Sequence, residues 1–283
     1  MSVAIAIFQG QFGRVALLDM DRPLVPHAHS QCHVLFKASG ADSTFCVRGR
    51  PFPVTEDTAI LVNAGEPHSY GHRASAPRTL YLALYIEPQW LADIYDPLLL
   101  SATRDFFLTP CVRISQHIRR LADGLIAELT AAYVVSRTRL ENLLFDLMLA
   151  IVEPFSRLRD PSRASQRSRL SVSDARIFRA VNYLKDNVRN PPVMDQLARE
   201  AYLSRAHFFL RFQRCTGLTP QVFTNMLRME DICRHLARSQ DRATIGRLAS
   251  ELGFADQANF TRFVRSHAGV VPGEYRRVVQ LYA

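Results

Sequence analysis

The sequence contains only five cysteines among its 283 residues, and no two of them form a CxxC pair. Thiols this sparse and scattered exclude a disulfide-stapled scaffold, and they are typical of a reducing compartment. No uncharged apolar run approaches the ~18 residues that a membrane span needs. The N-terminus has no basic segment before its short apolar run and no small-residue cleavage site, so it does not resemble a signal peptide. We therefore expect a cytoplasmic protein that does not insert into a membrane.

Lysine is nearly absent, since Lys37 and Lys185 are its only instances, and arginine supplies almost all of the positive charge. Residues 1–166 contain 16 basic and 16 acidic residues, whereas residues 167–283 contain 19 basic and 10 acidic residues. The whole formal net charge of +9 therefore lies in the C-terminal part of the chain. A neutral part joined to a basic part is typical of a sensor attached to a polyanion binder.

The first 90 residues contain short β-branched or aromatic runs that predict strands. Clusters of Gly, Pro, Asp and Asn separate these runs, and strands at such spacing indicate a sandwich or a small barrel. The predicted strands are Val34–Ala38, Thr44–Arg48, Ala59–Val62 and Leu80–Ile86.

Beyond Pro97 the pattern becomes helical. Ile114–Tyr133 has an apolar stripe with helical spacing, and a second stripe runs from Leu140 to Ile151, which together favour an antiparallel hairpin. The stripes suit either a dimer seam or burial against the chain's own barrel, and their periodicity favours neither. Residues 156–171 are rich in Ser and Arg and predict an exposed linker.

The last part of the chain repeats itself, which is the most informative pattern in the sequence. Residues 193–220 and 244–272 share Leu-Ala, Phe, Gly and Pro positions, and Asn225–Ser239 between them predicts one long connecting helix. The matched positions are Leu197-Ala198 with Leu248-Ala249, Phe208 with Phe260, Phe212 with Val264, Gly217 with Gly269, and Pro220 with Pro272. The spacing is 51 residues before the turn and 52 after it, so the second turn is one residue longer.

Each copy has the features of a helix-turn-helix unit. A small residue, Ala198 or Ala249, lies where the second helix must cross the first closely. In the second copy, Gly253 supplies the permissive backbone of a tight turn. Ser204 and Asp256 are suitable N-caps for the second helices. Aromatic or aliphatic pairs at i and i+4 face inward, which leaves the opposite faces free for the major groove of DNA.

This region resembles the AraC/XylS-type DNA-binding domain from about Asp174 to Arg277. The most specific stretch is the second unit, with Ile245, Leu248-Ala249, Gly253-Phe254, Asp256-Gln257, Phe260, Arg262, Gly269, Pro272 and Tyr275-Arg276. The resemblance implies a bacterial transcription regulator whose two recognition helices enter successive major-groove segments of double-stranded DNA. A plain helical bundle is the competing interpretation, and the duplicated motif argues against it.

The resemblance assigns DNA readout in the second recognition helix to four positions, which are Gln257, Ala258, Thr261 and Arg262. Arg262 can donate bidentately to guanine O6 and N7, and Gln257 can pair with adenine. Arg265, one turn further on, suits either a phosphate contact or a solvated surface charge.

The matching positions in the first recognition helix are Arg205, Ala206, Phe209 and Leu210. Phe209 and Leu210 are apolar where the family often has polar readers, so they are candidates for contacts to thymine methyl groups. Alternatively, this unit contributes mainly phosphate contacts, through Arg205, Arg211 and Arg214. Arg211 is equally consistent with a solvated surface charge.

Two segments of the N-terminal part, PHAHSQCHVLF and NAGEPHSY, concentrate four of the nine histidines, namely His27, His29, His33 and His68. His27 and His29 point to the same face of a strand, and a second hairpin can place His68 opposite them. A cluster of three or four imidazoles suits a divalent transition metal such as Zn, Fe, Ni or Cu. The same histidines also suit a metal-free pocket, so no cofactor is certain from the sequence.

Residues 20–87 resemble a cupin barrel, which is the usual sensor domain of AraC-type regulators. The matching pieces are His-x-His, a third ligand position four residues on, and a turn that ends in His68. His33 occupies that third position, where Glu is usual, and Asn63 stands where Pro is common. The resemblance implies an effector pocket at the mouth of the barrel.

The predicted fold class is therefore an α+β multidomain chain, with a cupin-like β-barrel and helical hairpin followed by an all-α domain with two helix-turn-helix units. Its predicted parts are a sensor domain (1–97), a helical segment (98–155), a linker (156–171) and a DNA-binding domain (172–283).

We expect a transcription regulator, not an enzyme, in which an unidentified small-molecule effector shifts how the helical domain is presented to DNA. The alternative from another class is a metal-dependent, dioxygenase-like cupin enzyme fused to a DNA-binding module. A non-specific nucleoid binder is a third alternative, and two shaped recognition helices argue against it. RNA polymerase and a second copy of the chain, as a homodimer, are further candidate partners.

Overall fold

The computed structural model describes residues 2–72, 76–131, 135–159, 174–238 and 243–282. Most of the predicted linker, residues 156–171, lies outside these described residues. None of the described helices is long and apolar enough to cross a lipid bilayer.

The N-terminal part consists of two β-sheets. The strands are β1 (Val3–Gly10), β2 (Gly13–Met20), β3 (Cys32–Gly40), β4 (Ser43–Val47), β5 (Arg50–Val54), β6 (Thr58–Val62), β7 (His68–Gly71), β8 (Thr79–Ile86), β9 (Cys111–Arg113) and β10 (Val279–Leu281). The larger sheet has the order β10-β1-β2-β8-β3-β6-β9, and the smaller sheet has the order β5-β4-β7. The four strands predicted from the sequence are confirmed as β3, β4, β6 and β8.

Ten α-helices follow or interrupt the strands within the described residues. They are α1 (Pro88–Ile94), α2 (Gln116–Leu129), α3 (Arg137–Phe155), α4 (Ala175–Asp186), α5 (Met194–Glu200), α6 (Arg205–Thr216), α7 (Pro220–Arg238), α8 (Ile245–Glu251), α9 (Gln257–Ala268) and α10 (Pro272–Val278). Short 3-10 turns cover Asp96–Ala102 and Arg157–Arg159. The predicted hairpin corresponds to α2 and α3, and the predicted connecting helix corresponds to α7.

The larger sheet buries both of its faces, because successive side chains of a strand point to opposite sides. Val34 and Phe36 of β3 belong to a core with the helices α1, α2 and α3. Leu35, between them, belongs to a second core that includes Phe45 of the smaller sheet. The sheet-on-sheet core forms the barrel, and the helical hairpin covers its outside.

The apolar stripes of α2 and α3 are buried in the chain's own core. Ile118 and Leu125 of α2, and Leu144 and Ile151 of α3, are all at most 3% exposed and pack in the same cluster as the barrel strands. Of the two interpretations of these stripes, burial against the barrel is therefore the observed one. A homodimer stays a prediction, and these stripes do not supply its surface.

The two helix-turn-helix units differ in how they are packed. The first unit, α5 and α6, has a core of its own with α4, which includes Ile177, Phe208 and Phe212. The second unit, α8 and α9, shares one apolar cluster with the barrel, in which Phe260 and Val264 lie with strand residues. The second unit is therefore the one that is continuous with the N-terminal part.

The C-terminal part is helical as predicted, except for the three-residue strand β10. This strand pairs in parallel with β1, where Ile7 lies opposite Val279 and Gln9 opposite Leu281. Tyr282 then stacks on Phe8, with ring centroids 5.7 Å apart. The end of the predicted all-α domain therefore completes the sheet of the N-terminal domain, and β9 extends that sheet beyond the predicted boundary at residue 97.

Candidate nucleic-acid interface and interdomain cavity

The turn of the second helix-turn-helix unit requires a glycine. Gly253 has a φ angle of +73°, and a Cβ atom at this position would collide with the carbonyl oxygen of Arg189. The side chain of Asp256 then accepts a hydrogen bond of 2.6 Å from the backbone N–H of Asn259, which caps α9 as predicted. These two residues fix where the second recognition helix begins.

The first unit makes the same turn with a tyrosine. Tyr202 lies 51 residues before Gly253, at the matching position of the repeat, and has a φ angle of +52°. The residue is 80% exposed, and the guanidinium of Arg179 lies 5.3 Å from the ring centroid. The left-handed conformation costs a residue with a Cβ atom about 1–2 kcal/mol, so this turn stores strain that the second turn avoids.

We expect Gly253→Ala to lower the free energy of unfolding by more than about 2 kcal/mol, because alanine has to adopt the left-handed conformation, which alone costs about 1–2 kcal/mol, and its Cβ atom collides with the carbonyl oxygen of Arg189. Tyr202→Gly is the matched control, since it removes the same strain from the first turn. It should leave stability unchanged or raise it by up to about 1 kcal/mol, offset by the greater freedom of glycine in the unfolded chain. Urea denaturation followed by circular dichroism measures both, and equal losses would contradict this account of the turns.

The outer face of α9 carries the residues that the sequence assigns to DNA readout. A single open concave surface is lined by Gln257, Ala258, Thr261, Arg262 and Arg265. Phe260 and Val264, on the opposite side of the helix, are fully buried. The predicted readers of the second unit therefore share one solvent-facing surface.

Within this surface, Arg262 is oriented by a hydrogen bond to Asn259. Its Nη2 donates a hydrogen bond of 2.8 Å to Oδ1 of Asn259, whose own side-chain N–H₂ donates to Asp256 at 2.8 Å. No described carboxylate forms an ion pair with Arg262. The remaining donors of its guanidinium fork are therefore available to an acceptor outside the protein.

The outer face of α6 is exposed in the same way, but its chemistry differs. The six residues assigned to it are all exposed, namely Arg205, Ala206, Phe209, Leu210, Arg211 and Arg214. Phe209 and Leu210 are 43% and 53% exposed, whereas their neighbour Phe208 is 1% exposed. This face therefore presents apolar surface flanked by arginines.

Two of these arginines already have acidic neighbours. Arg205 lies 3.5 Å from a carboxylate oxygen of Asp195, and Arg211 lies 3.5 Å from one of Asp174. Arg214 has no acidic partner in the described part of the chain. The Arg205–Asp195 pair is exposed on both sides and therefore weak, and Asp174 binds Arg176 more closely, at 2.8 Å, so both arginines remain available to a phosphate group.

Three of the four predicted histidines converge in the barrel. His27, His29 and His68 each offer one ring nitrogen, and these atoms lie within 4.8 Å of one another. His27 and His68 face each other across an antiparallel bridge, through two backbone hydrogen bonds of 2.9 and 2.8 Å. His27 and His29 lie in this bridge and the adjoining loop, not in the continuous strand that the sequence suggested.

The protonation of this cluster suits metal binding. A carbonyl oxygen can only accept, so Nδ1 of His27 donates to Val25 (2.7 Å) and Nδ1 of His68 donates to Glu66 (2.9 Å). Each Nε2 atom then carries a lone pair, and the buried Nε2 atom of His68 has no hydrogen-bond partner among the described residues. Burial, reinforced by His68, lowers the pKa of His27 and His29 well below the usual value, and burial lowers that of His68 to about 3. Neutral imidazoles fit the donor set of a transition metal, and those of His27 and His68 are also oriented through Nδ1 by carbonyl groups.

His33, the fourth predicted member, lies beside this group and not in it. Its Nδ1 donates to the carbonyl oxygen of Leu84 at 3.0 Å, and its ring stacks on Tyr85 with centroids 4.3 Å apart. Burial lowers its pKa to about 3. His33 therefore acts as a neutral wall of the cluster.

A cavity of about 330 Å³ lies between the barrel and the helical domain. The barrel contributes Arg14, His29 and Tyr85, and the helices α7 and α9 contribute Cys233 and His267. The size is at the lower end of the range for small-molecule sites, and such sites favour domain interfaces.

Direct hydrogen bonds hold the two sides of this cavity together. The backbone N–H of Ser30 donates to a carboxylate oxygen of Glu230 on α7 at 3.2 Å. The backbone N–H of Val25 donates to the carbonyl oxygen of Ser266 on α9 at 3.1 Å. The barrel loop that carries the histidines therefore contacts both the connecting helix and the second recognition helix.

Sequence reasoning missed Arg14 and the whole helical side of this cavity. Nothing in the local pattern of β2 distinguishes Arg14 from a solvated arginine. Its partners Cys233 and Tyr275 lie 219 and 261 residues further along the chain. Only the packing of the two domains brings them together.

Both parts of the chain match models of known protein families. Residues 19–148 match the AraC-like ligand binding domain, and residues 197–278 match a helix-turn-helix domain. The chain has the two domains of an AraC-type transcription regulator. The AraC-type chain thus contains a ligand-binding domain followed by a helix-turn-helix DNA-binding domain, as the sequence predicted.

Curated relatives of this AraC-type regulator are transcriptional activators. The HTH-type transcriptional activator RhaS of Escherichia fergusonii is 24% identical over 258 residues, which cover 89% of this chain and 87% of RhaS. RhaS of Shigella sonnei is similar to the same extent, at 24% identity over 258 residues. These relatives favour a regulator over the enzyme alternative.

Solved structures of ToxT from Vibrio cholerae have the same two-domain fold. Apo ToxT superposes with a TM-score of 0.58 at 10% identity, covering 94% of this chain and 97% of ToxT. Wild-type ToxT bound to an unsaturated fatty acid gives 0.53 at 11% identity, covering 93% and 94%. At these identities the similarity concerns the fold alone.

Proposed function

We propose that the outer face of α9 is the principal base-reading surface of this AraC-type regulator. The observation that carries the proposal is the concave surface lined by Gln257, Ala258, Thr261, Arg262 and Arg265. A helix that buries one apolar side and presents a polar, basic side fits the major groove.

The proposed readout follows from the donors on this face. Arg262 directs its free guanidinium donors at guanine O6 and N7, with Asn259 fixing the orientation of the fork through its 2.8 Å hydrogen bond. Gln257, at the start of the helix, pairs with adenine N6 and N7. Arg265, on the following turn, contacts the phosphate backbone.

The first unit is proposed to position the protein more than to discriminate bases. The exposed side chains of Phe209 and Leu210 fit the methyl groups of thymine, which gives weak discrimination. Arg214, which has no acidic partner among the described residues, and the weakly paired Arg205 and Arg211 are available to phosphate oxygens. RNA polymerase stays a candidate partner without an assigned surface.

The N-terminal domain is proposed to sense a small molecule and to transmit binding through the shared core. The barrel and the second helix-turn-helix unit pack in one apolar cluster. An effector that changes this packing therefore alters the placement of α9 relative to α6. The fatty acid bound to ToxT gives a precedent for small-molecule binding in this fold.

The test of DNA recognition is a specificity ratio measured at fixed salt. Genome-wide binding supplies a candidate operator, and the affinity for that duplex is compared with a scrambled duplex of equal length. We expect the operator to bind at least about 10³-fold more tightly, as specific regulators do. A ratio near one would instead support a non-specific nucleoid binder.

A second proposal concerns a metal in the barrel. The converging ring nitrogens of His27, His29 and His68 would hold the ion, and a bound transition metal would supply Lewis acidity or a fixed point for an effector.

We expect purified protein to retain about one equivalent of Zn, Ni, Fe or Cu, as measured by plasma mass spectrometry after exhaustive dialysis. His68→Ala should abolish retention, because it removes a direct ligand. His72→Ala is the matched control, since His72 bonds to Tyr70 outside the cluster. Absence of stoichiometric metal in the wild type would refute the proposal.

A further inference from the structure

Arg14 is a cation that lines the interdomain cavity and has no anionic partner in the part of the chain that the structure describes. Its Nη1 donates to Sγ of Cys233 at 3.0 Å and reaches the hydroxyl of Tyr275 at 3.5 Å. The guanidinium lies 3.8 Å from the ring centroid of Tyr85. Its buried Nε atom has no hydrogen-bond partner, and no described carboxylate forms an ion pair with it.

The other charged side chains that line the cavity are already partnered. Glu87 accepts a hydrogen bond of 2.6 Å from Gln31, and Glu230 accepts one from the backbone of Ser30. Arg234 lies 3.3 Å from a carboxylate oxygen of Asp231. Glu87 and Glu230 are bonded to neutral donors and Arg234 pairs with Asp231, so Arg14 is the lining cation that has no carboxylate partner among the described residues.

We propose that this cavity binds a small, polar carboxylate, whose carboxyl group pairs with Arg14 and whose remainder contacts both domains. A planar guanidinium with a free buried donor matches the geometry of a carboxylate. A phosphate dianion fits less well, because Arg14 is the only unpaired cation among the described lining residues. The proposal rests on the proposed function, since it names the effector class of that regulator.

The residues that line the cavity, together with its volume, indicate that the rest of the ligand is polar and compact. On the helical side of the cavity, His267 has a buried Nε2 atom without a hydrogen-bond partner among the described residues. Gln9 and Gln31 also line the cavity, whose volume is about 330 Å³. Hydroxyl or amino groups on the ligand would satisfy these polar atoms, whereas a long alkyl chain would leave them unpaired.

A ligand in this position couples the domains, because its contacts come from both of them. It binds best to the arrangement in which Arg14 and His29 of the barrel face Cys233 and His267 of the helical domain. Its binding therefore favours that arrangement and changes the affinity for DNA. Linkage requires that DNA change the affinity for the ligand by the same factor.

The test uses the full-length protein and isothermal titration with matched acid and amide probes. The pairs are lactate with lactamide, malate with malamide, and 4-hydroxybenzoate with 4-hydroxybenzamide, and oleate and inorganic phosphate are added as separate probes. We expect at least one of the three acids to bind at least about tenfold more tightly than its amide, oleate and phosphate.

Arg14→Gln should weaken that acid at least about tenfold, whereas Arg234→Gln, at a partnered lining residue, should change its affinity less than about threefold. Arg14→Lys keeps a cation in the fold and should give an intermediate loss, so the proposal stays testable if the glutamine variant does not fold. Tighter binding of oleate or phosphate, equal binding of acid and amide, no binding by any acid, or no effect at Arg14 would overturn the proposal.

Coupling is measured as operator affinity with and without the saturating acid, and we expect a change of at least about fivefold. An acid that binds through Arg14 without this change would refute the coupling. Failure of the DNA-binding proposal would look different from failure of the ligand proposal. In that case the protein would still bind the acid, but it would bind the operator and the scrambled duplex equally well.

Discussion

Arg262→Ala is expected to weaken binding to the operator by about 1–3 kcal/mol and to relax selectivity at one base pair. The side chain is exposed on the outer face of α9, and among the described residues its hydrogen-bond partner is Oδ1 of Asn259. Its removal therefore takes away a base contact without disturbing the core formed by Phe260 and Val264. Fluorescence anisotropy with the operator and its single-base variants measures both effects.

Arg214→Ala, on α6, is the matched control for this experiment. Loss of a phosphate contact should weaken all duplexes by a similar factor and reduce the slope of log affinity against log salt by about 1. If both variants weakened every duplex equally, then Arg262 would be a phosphate contact and not a base reader.

Phe208→Ala is expected to lower the free energy of unfolding of the first helix-turn-helix unit by about 3–5 kcal/mol. Phe208 is 1% exposed and packs in the small core of that unit, with its ring 5.5 Å from that of Phe212. Deletion of the ring leaves a cavity that a core of this size cannot refill.

Phe209→Ala is the control on the next residue of the same helix. Because Phe209 is 43% exposed, its substitution should change stability by less than about 1 kcal/mol and act on DNA binding instead. Native-state hydrogen exchange in α6 separates the two effects. A large stability loss from Phe209→Ala would show that the outer face of α6 is packed and not presented to a partner.

Local periodicity was sufficient to predict the helix-turn-helix units, since each motif lies within about 30 residues and its inward positions repeat with helical spacing. The assignment of Gln257 and Arg262 to DNA readout came from the resemblance to AraC/XylS-type domains, and their place on the outer face agrees with the inward position of Phe260. The same logic found β3 and β8, whose apolar runs lie at the centre of the larger sheet.

The features that sequence reasoning missed depend on contacts between distant parts of the chain. Strand β10 is three residues long and forms only because β1, some 270 residues earlier, offers an unpaired edge. The role of Arg14 also depends on contacts distant in sequence, since its partners Cys233 and Tyr275 belong to the other domain. The left-handed backbone conformation at Tyr202 was not predicted, because glycine is the residue that usually marks this conformation.

The most direct test of the central claim, that the outer face of α9 reads the bases, is a binding-site selection from a randomised duplex library at fixed salt. Wild-type protein and Arg262→Ala are selected side by side, and Arg214→Ala is included as the phosphate-contact control. We predict that Arg262→Ala loses its preference at one defined base pair and keeps the remaining positions, while Arg214→Ala keeps the whole motif. An identical motif from wild-type protein and Arg262→Ala would contradict the claim.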